Sequence, residues 1–249
     1  MKRIIRNILY PFLRACARMK AKKYDHVVTI GYNCEMAFRF FDYYKFVDAT
    51  LFTWSGAIFA EDWAKLISQI DMFFTGEILP PTRDFPLYRC GNTGARAHGR
   101  APQSTWSSGN PIPEGLVEKE IADIRSRMAH LREKTLGYLR DDKSVLVAYK
   151  MRQSDCEPGK AGPRVDAIRA ALEGVGARNM TFLVICEDRY RSSFPKHHPG
   201  YELRSVLKFN PETDSTIRNL GDRYGWRIIF DEFRPKVIKK QAHKFKFEQ

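Results

Sequence analysis

The chain has 249 residues, 43% of them hydrophobic, enough for one sizeable core or a core with an insertion. No run of 18 apolar residues occurs, which excludes an ordinary spanning helix, and the five cysteines form no Cys-x-x-Cys pair, which argues against a zinc ribbon, a redox motif or a disulfide framework and for a reducing cytoplasm. Formal net charge is +13, but it comes from the ends: residues 1–23 hold eight basic and no acidic side chains, and 234–249 hold six basic ones against Glu248. The body between them is balanced, so the charge does not mark a nucleic-acid-binding core.

Residues 2–20 set Ile4, Ile5, Ile8, Leu9, Phe12 and Leu13 at helical spacing among basic side chains. That pattern predicts an interfacial helix, within a basic segment 1–23, that meets an anionic membrane surface, with a kink at Pro11. A helix packed on the body or a plain basic arm is the alternative. Charges inside the apolar part and the lack of a small-residue cleavage site speak against a secretory signal.

A single α/β domain is expected over 24–233. It begins with a strand over 26–30, a turn at Gly31 and a helix opening at Asn33 or Cys34. The aromatic tract that follows, from Phe38 to Trp63, reads mostly as core, with a short strand or turn over 51–56 and a helix over 58–70. Residues 75–114 are rich in proline and glycine and read as a long loop insertion. A charged amphipathic helix is expected over 115–139. Strands are expected over 144–149, 180–186, 201–208 and 226–230, and helices over 163–172 and 211–224; a basic tail occupies 234–249. Alternating strands and helices predict a mostly parallel sheet with helices on both faces, whose ligand sites lie at the carboxyl ends of the strands.

Cys34 is the residue with a mechanism attached to its position. Asn33 is a good N-cap. A thiol in the first helical turn meets unpaired amides and the positive end of the dipole, which favour the thiolate. Attack by that thiolate, with a histidine base and first-turn amides as an oxyanion site, is the chemistry implied. His98, in the 75–114 insertion, is the candidate base. The competing reading makes Cys34 a small buried residue at a strand–helix junction and His98 a solvated loop histidine. Arg152, Glu187 and Asp231 fall just beyond expected strand ends and are candidate substrate-binding residues. No phosphate loop, dinucleotide fingerprint or nucleophile elbow occurs, His197-His198 is adjacent rather than one helical turn apart, and no cofactor or metal is expected.

The segment Tyr24-Asp25-x-x-x-x-Ile30-Gly31-x-Asn33-Cys34-Glu35-x-Ala37, with Phe52-Thr53-Trp54 beyond it, resembles a bacterial family of unknown function described as papain-like cysteine peptidases. Its members open with a strand and a Leu-Gly-x-Asn-Cys turn, followed by a Pro-Phe-Asp-Trp box. The resemblance covers the first part of the body and implies a peptidase-like hydrolase or acyl transferase. Cys34 then takes the nucleophile's place with Asn33 in its turn. Trp54 is the box tryptophan, on the substrate side. His98 corresponds to the family's His-Asp-Phe element, although Gly99 and Arg100 follow it here, and Leu51 and Thr53 replace the proline and aspartate of the box. The alternative is a membrane-associated enzyme of surface-polysaccharide biosynthesis, such as a glycosyltransferase, suggested by the basic amphipathic start, the basic tail and the acidic strand ends. Nucleic acid is not the expected partner, because no aromatic-rich basic groove accompanies the charge.

Overall fold

A computed structural model describes residues 2–31, 35–44, 48–54, 60–82, 87–101, 105, 113–195, 198–207, 209 and 222–236. Four parallel strands form its centre: β2 (His26–Gly31), β6 (Val145–Lys150), β7 (Met180–Glu187) and β8 (Glu202–Val206), hydrogen-bonded in that order. The register runs His26 to Val145 and Gly31 to Lys150 in one pair, and Val145 to Met180 and Lys150 to Ile185 in the next. Every residue of β6 is buried, as parallel strands covered on both faces require.

Alternation along the strands divides the core in two. Val145, Val147 and Tyr149 face one side with Phe182 and Val184 of β7. They meet helices α4 (Ala60–Ser68), α5 (Leu116–Arg140) and α6 (Ala161–Gly174), through side chains such as Trp63, Met128 and Ile168. Leu146, Ala148, Leu183 and Ile185 face the other side. There they meet Met36 and Phe40 of α2 (Glu35–Tyr44) and Trp226, Ile229 and Phe230 of α7 (Arg223–Glu232). The expected α/β architecture with helices on both faces is therefore the observed one. Helix α1 (Lys2–Met19) continues through Pro11 and packs outside α7. A small parallel pair, β1 (Lys22–Tyr24) with β9 (Phe233–Pro235), joins the two ends of the body.

Three expected elements differ. Residues 226–230 are helix, not strand. Trp226, Ile229 and Phe230 are buried at helical spacing, and Asp222 caps the turn by accepting from the Gly225 N–H at 3.0 Å. The β-branched pair Ile228-Ile229 imitates a strand, but the cap and the 3.6-residue period win. Leu51–Trp54 forms a one-turn helix, α3, in which the Thr53 hydroxyl accepts the Thr50 N–H at 2.9 Å and the Leu51 N–H reaches the Thr135 hydroxyl at 2.8 Å. The insertion holds an antiparallel sheet of β3 (Ile78–Leu79), β4 (Tyr88–Cys90) and β5 (Arg96–Ala97). Its strands are too short for periodicity to reveal, yet Tyr88, Cys90 and Ala97 are buried in the α4–α5 core. The expected helix over 211–224 lies outside the described residues except at its end, where Asp222 is the α7 cap.

Glu120 of α5 fastens the chain just after β5. Its buried Oε1 accepts the N–H groups of Arg100 and Ala101 at 2.8 and 2.9 Å. A Cβ on Gly99 would stand 1.7 Å from Glu120 Oε2, whereas one on Gly137 would meet nothing within 4 Å. Gly99→Ala should therefore lower stability by about 1–3 kcal/mol through overpacking. Gly137→Ala, in a helix interior, should raise it by about 0.5–1 kcal/mol. Urea unfolding of the two variants beside the parent reads both signs.

Candidate active site at the carboxyl ends of the strands

The inward face of α2 places charge over the ends of β6 and β7. Lys150 is the last residue of β6, and alternation puts it on the face of Leu146 and Ala148. Its ammonium is fully buried. It donates to Glu35 Oε2 in the first turn of α2, and it lies 4.5 Å from the centroid of the Phe209 ring. Glu35 Oε1 stands 3.6 Å from Arg39 Nε one turn along α2, and Glu35 and Arg39 are both buried. Across the sheet, Glu187 ends β7. Its Oε1 accepts the Phe209 N–H at 2.7 Å and the Gln153 amide at 3.1 Å, while Arg189 Nε reaches Oε2 at 2.7 Å. Phe209 thus joins the two halves, its ring against Lys150 and its N–H on Glu187.

Asn33 and Cys34 lie outside the described residues. In the sequence Cys34 immediately precedes Glu35, and Gly31, the last residue of β2, is in register with Lys150. Trp54 closes α3, but its side chain is outside the described ones. Arg152 stands two residues past β6, half-buried, at the start of the 3₁₀ turn Gln153–Asp155. Glu187 sits as expected at a strand end, but its oxygens are occupied by the Phe209 N–H, Gln153 and Arg189.

His98 follows β5 and keeps much of its surface open. Its carbonyl accepts from Arg127 at 2.6 Å, and the insertion that carries it packs into the core on the opposite face from Lys150. Packing around the ring, then the Arg127 guanidinium, lower its pKa. Among the described residues no three His, Cys, Asp or Glu side chains are grouped to hold a metal ion.

Asp231 is not at a strand end, because the segment before it is α7. It is fully buried in the last turn of that helix and binds Arg14, Arg18 and Tyr43. Burial pushes its pKa up, but the hydrogen bonds from Arg14, Tyr43 and Arg18 outweigh that and hold the carboxyl below its usual value. Its contacts make it the clamp between α1 and the body.

The residues that sequence reasoning missed are Lys150, Glu35 and Arg39. The signal for Lys150 was its place two residues beyond Ala148 on a strand face otherwise apolar; for Glu35 and Arg39 it was their i, i+4 spacing on a helix whose other face is core. Comparison with family models, with curated proteins and with solved structures finds no match for this chain.

Two outcomes follow from these contacts. Lys150→Met should cost about 3–5 kcal/mol, because it leaves the Glu35 carboxylate buried beside an apolar group. Lys150→Met with Glu35→Gln should cost less than the sum of the single changes, and a double-mutant cycle by denaturant unfolding measures the coupling. For Asp231 the folded pKa is the lower one, so its stabilisation is complete above the unfolded carboxyl pKa of roughly 3.9 and fades as pH falls below it. Trypsin should leave Arg14 and Arg18 intact at pH 7 in the parent and cut there in Asp231→Asn. Hydrogen exchange should show α1 of the parent loosening only below about pH 4.

Proposed function

We propose that this chain is a cysteine-dependent hydrolase or acyl transferase whose site lies at the carboxyl ends of β2, β6 and β7, with Cys34 as nucleophile. The observation that carries the reading is the buried Lys150 ammonium bonded to Glu35, the residue next to Cys34 in the chain. A buried ion pair adds little stability over an apolar pair of the same shape, so its presence at strand ends fits chemistry better than folding. The opening turn of α2 favours a thiolate just ahead of it. The thiolate attacks the acyl carbon, the leaving group departs with a proton, and water or a second acceptor then releases the acyl group from sulfur. His98 lies in the insertion packed on the face of the sheet opposite Lys150, so this reading assigns the proton relay to no described histidine.

The other cysteines sharpen the test. Burial pushes the thiols of Cys156 and Cys186 up to about 12, and Cys90 is buried as well. In the folded protein these three should resist alkylation. Cys34 should react with an inflection well below the free-thiol value of roughly 8.5, read residue by residue with peptide mass spectrometry. Cys34→Ala should abolish turnover of any acyl substrate found, and alkylation of Cys34 only on unfolding would discard the proposal.

One observation favours the second reading, a membrane-associated enzyme of surface-polysaccharide biosynthesis. Leu9, Phe12, Leu13 and Met19 share the outward side of α1, with Phe12 66% and Met19 80% exposed. Basic side chains accompany them, as an interfacial helix on an anionic bilayer requires. No helix among the described residues is long and apolar enough to cross a membrane. Phe12→Glu with Met19→Glu should abolish co-flotation with anionic vesicles, and a thermal shift with a nucleotide sugar would move the assignment to a glycosyltransferase.

A further inference from the structure

We propose that the hollow between α2 and α7 binds a phosphate group. It is lined by Arg39, Tyr43, Arg223, Trp226, Arg227 and Phe230, so among the described residues three guanidinium groups and no carboxylate border it. Arg223 and Arg227 stand one turn apart on α7, the first exposed and the second half-buried, and neither pairs with a described residue. Like charges at that spacing repel, and an anion between them removes the repulsion. Arg39 joins them from α2, held there by Glu35 at 3.6 Å.

Trp226 is the independent observation. Its side chain is buried and stacked on Phe230, with ring centroids 5.7 Å apart, yet its Nε1–H has no acceptor among the described residues. A buried N–H left unpaired costs roughly 1–3 kcal/mol. Trp226 lines the basic hollow, and its unanswered N–H, shut off from solvent where it stands, becomes a donor to an anion that enters as the arginine side chains at the mouth move aside. The acceptor must be anionic to answer the arginines, and donors from two helices suit the several oxygens of a tetrahedral group better than a planar carboxylate. Of the described acids nearby, Glu35 is committed to Lys150 and Arg39, and Asp231 behind Tyr43 to Arg14 and Arg18.

Size limits the ligand. The enclosed space of the hollow is only about 20 Å³, far below the ~300–1,000 Å³ of pockets that enclose a whole small molecule. It takes the charged group and leaves the rest of the ligand outside. Helix α1 adjoins it, since Arg14 donates to the Tyr43 hydroxyl at 3.0 Å and Tyr10 meets Tyr224 at 4.5 Å. The phosphate could therefore belong to a soluble ester or to a lipid headgroup beneath the exposed face of α1. The site does not depend on Cys34, and Cys34→Ala should leave it intact.

The test uses the full chain at constant ionic strength. Inorganic phosphate is titrated while the melting temperature is followed, and binding to phosphatidylcholine vesicles is compared with and without phosphatidic acid. Arg223→Gln with Arg227→Gln removes two guanidiniums. Lys119→Gln with Arg178→Gln removes the same charge from exposed positions near the opposite helices. Trp226→Phe keeps the aromatic stack and removes the N–H. The expected result is a saturable response to phosphate in the parent and the Lys119/Arg178 variant. It should be weakened at least tenfold in the Arg223/Arg227 variant and several-fold in Trp226→Phe. A response to phosphatidic acid vesicles alone, lost in the Arg223/Arg227 variant, supports the site and names the lipid headgroup as its source. No saturable response to either probe, or equal losses in the two charge-removal variants, overturns the proposal.

Discussion

A lysine at the end of a strand buried on both faces governs this architecture. β6 admits no charged side chain along its length until Lys150, whose ammonium has no access to water. Leaving that charge unanswered would cost several kcal/mol, so something must cover the carboxyl end of the strand and carry the opposite charge. Helix α2 does both: Glu35 in its first turn meets Lys150, and Met36, Phe40 and Tyr44 close the core beneath. The position of α2 then determines where the connection that contains Cys34 must leave β2 and enter the helix.

The same face of the molecule is built outward in layers. α2 and α7 cover the sheet, and α1 covers α7. The outer layer is held by a charge as well, because Asp231 is buried under α1 and needs Arg14 and Arg18. Each layer therefore depends on an ion pair that the next helix supplies. An acid at the end of α7 fixes a helix whose other side, with Leu9, Phe12, Leu13 and Met19, is exposed.

Thiol chemistry follows the same division between buried and accessible positions. Cys90, Cys156 and Cys186 are packed among apolar side chains around the sheet, and burial raises the pKa of the last two. The place of His98 in the sequence fits a base, but the glycine after it answers to Glu120, whose carboxylate holds the following amides and leaves no room for a Cβ.

The local pattern of residues alone determined the four parallel strands, the long helix α5 and the two-sided core, because alternation and 3.6-residue periodicity are properties of neighbours in the chain. It also singled out the outward apolar side of α1, for the same reason. It misassigned 226–230, where Trp-Arg-Ile-Ile-Phe satisfies both a strand and a helix and only the Asp222 cap and the packing under α1 choose between them. It took Asp231 for a substrate residue because the partners of that acid lie more than two hundred residues away, at Arg14 and Arg18. It overlooked the Lys150–Glu35–Arg39 group and the hollow at Trp226 on the same ground. Charge pairing and burial are set by which distant side chains meet, and in this chain that is decided only when the helices close over the sheet.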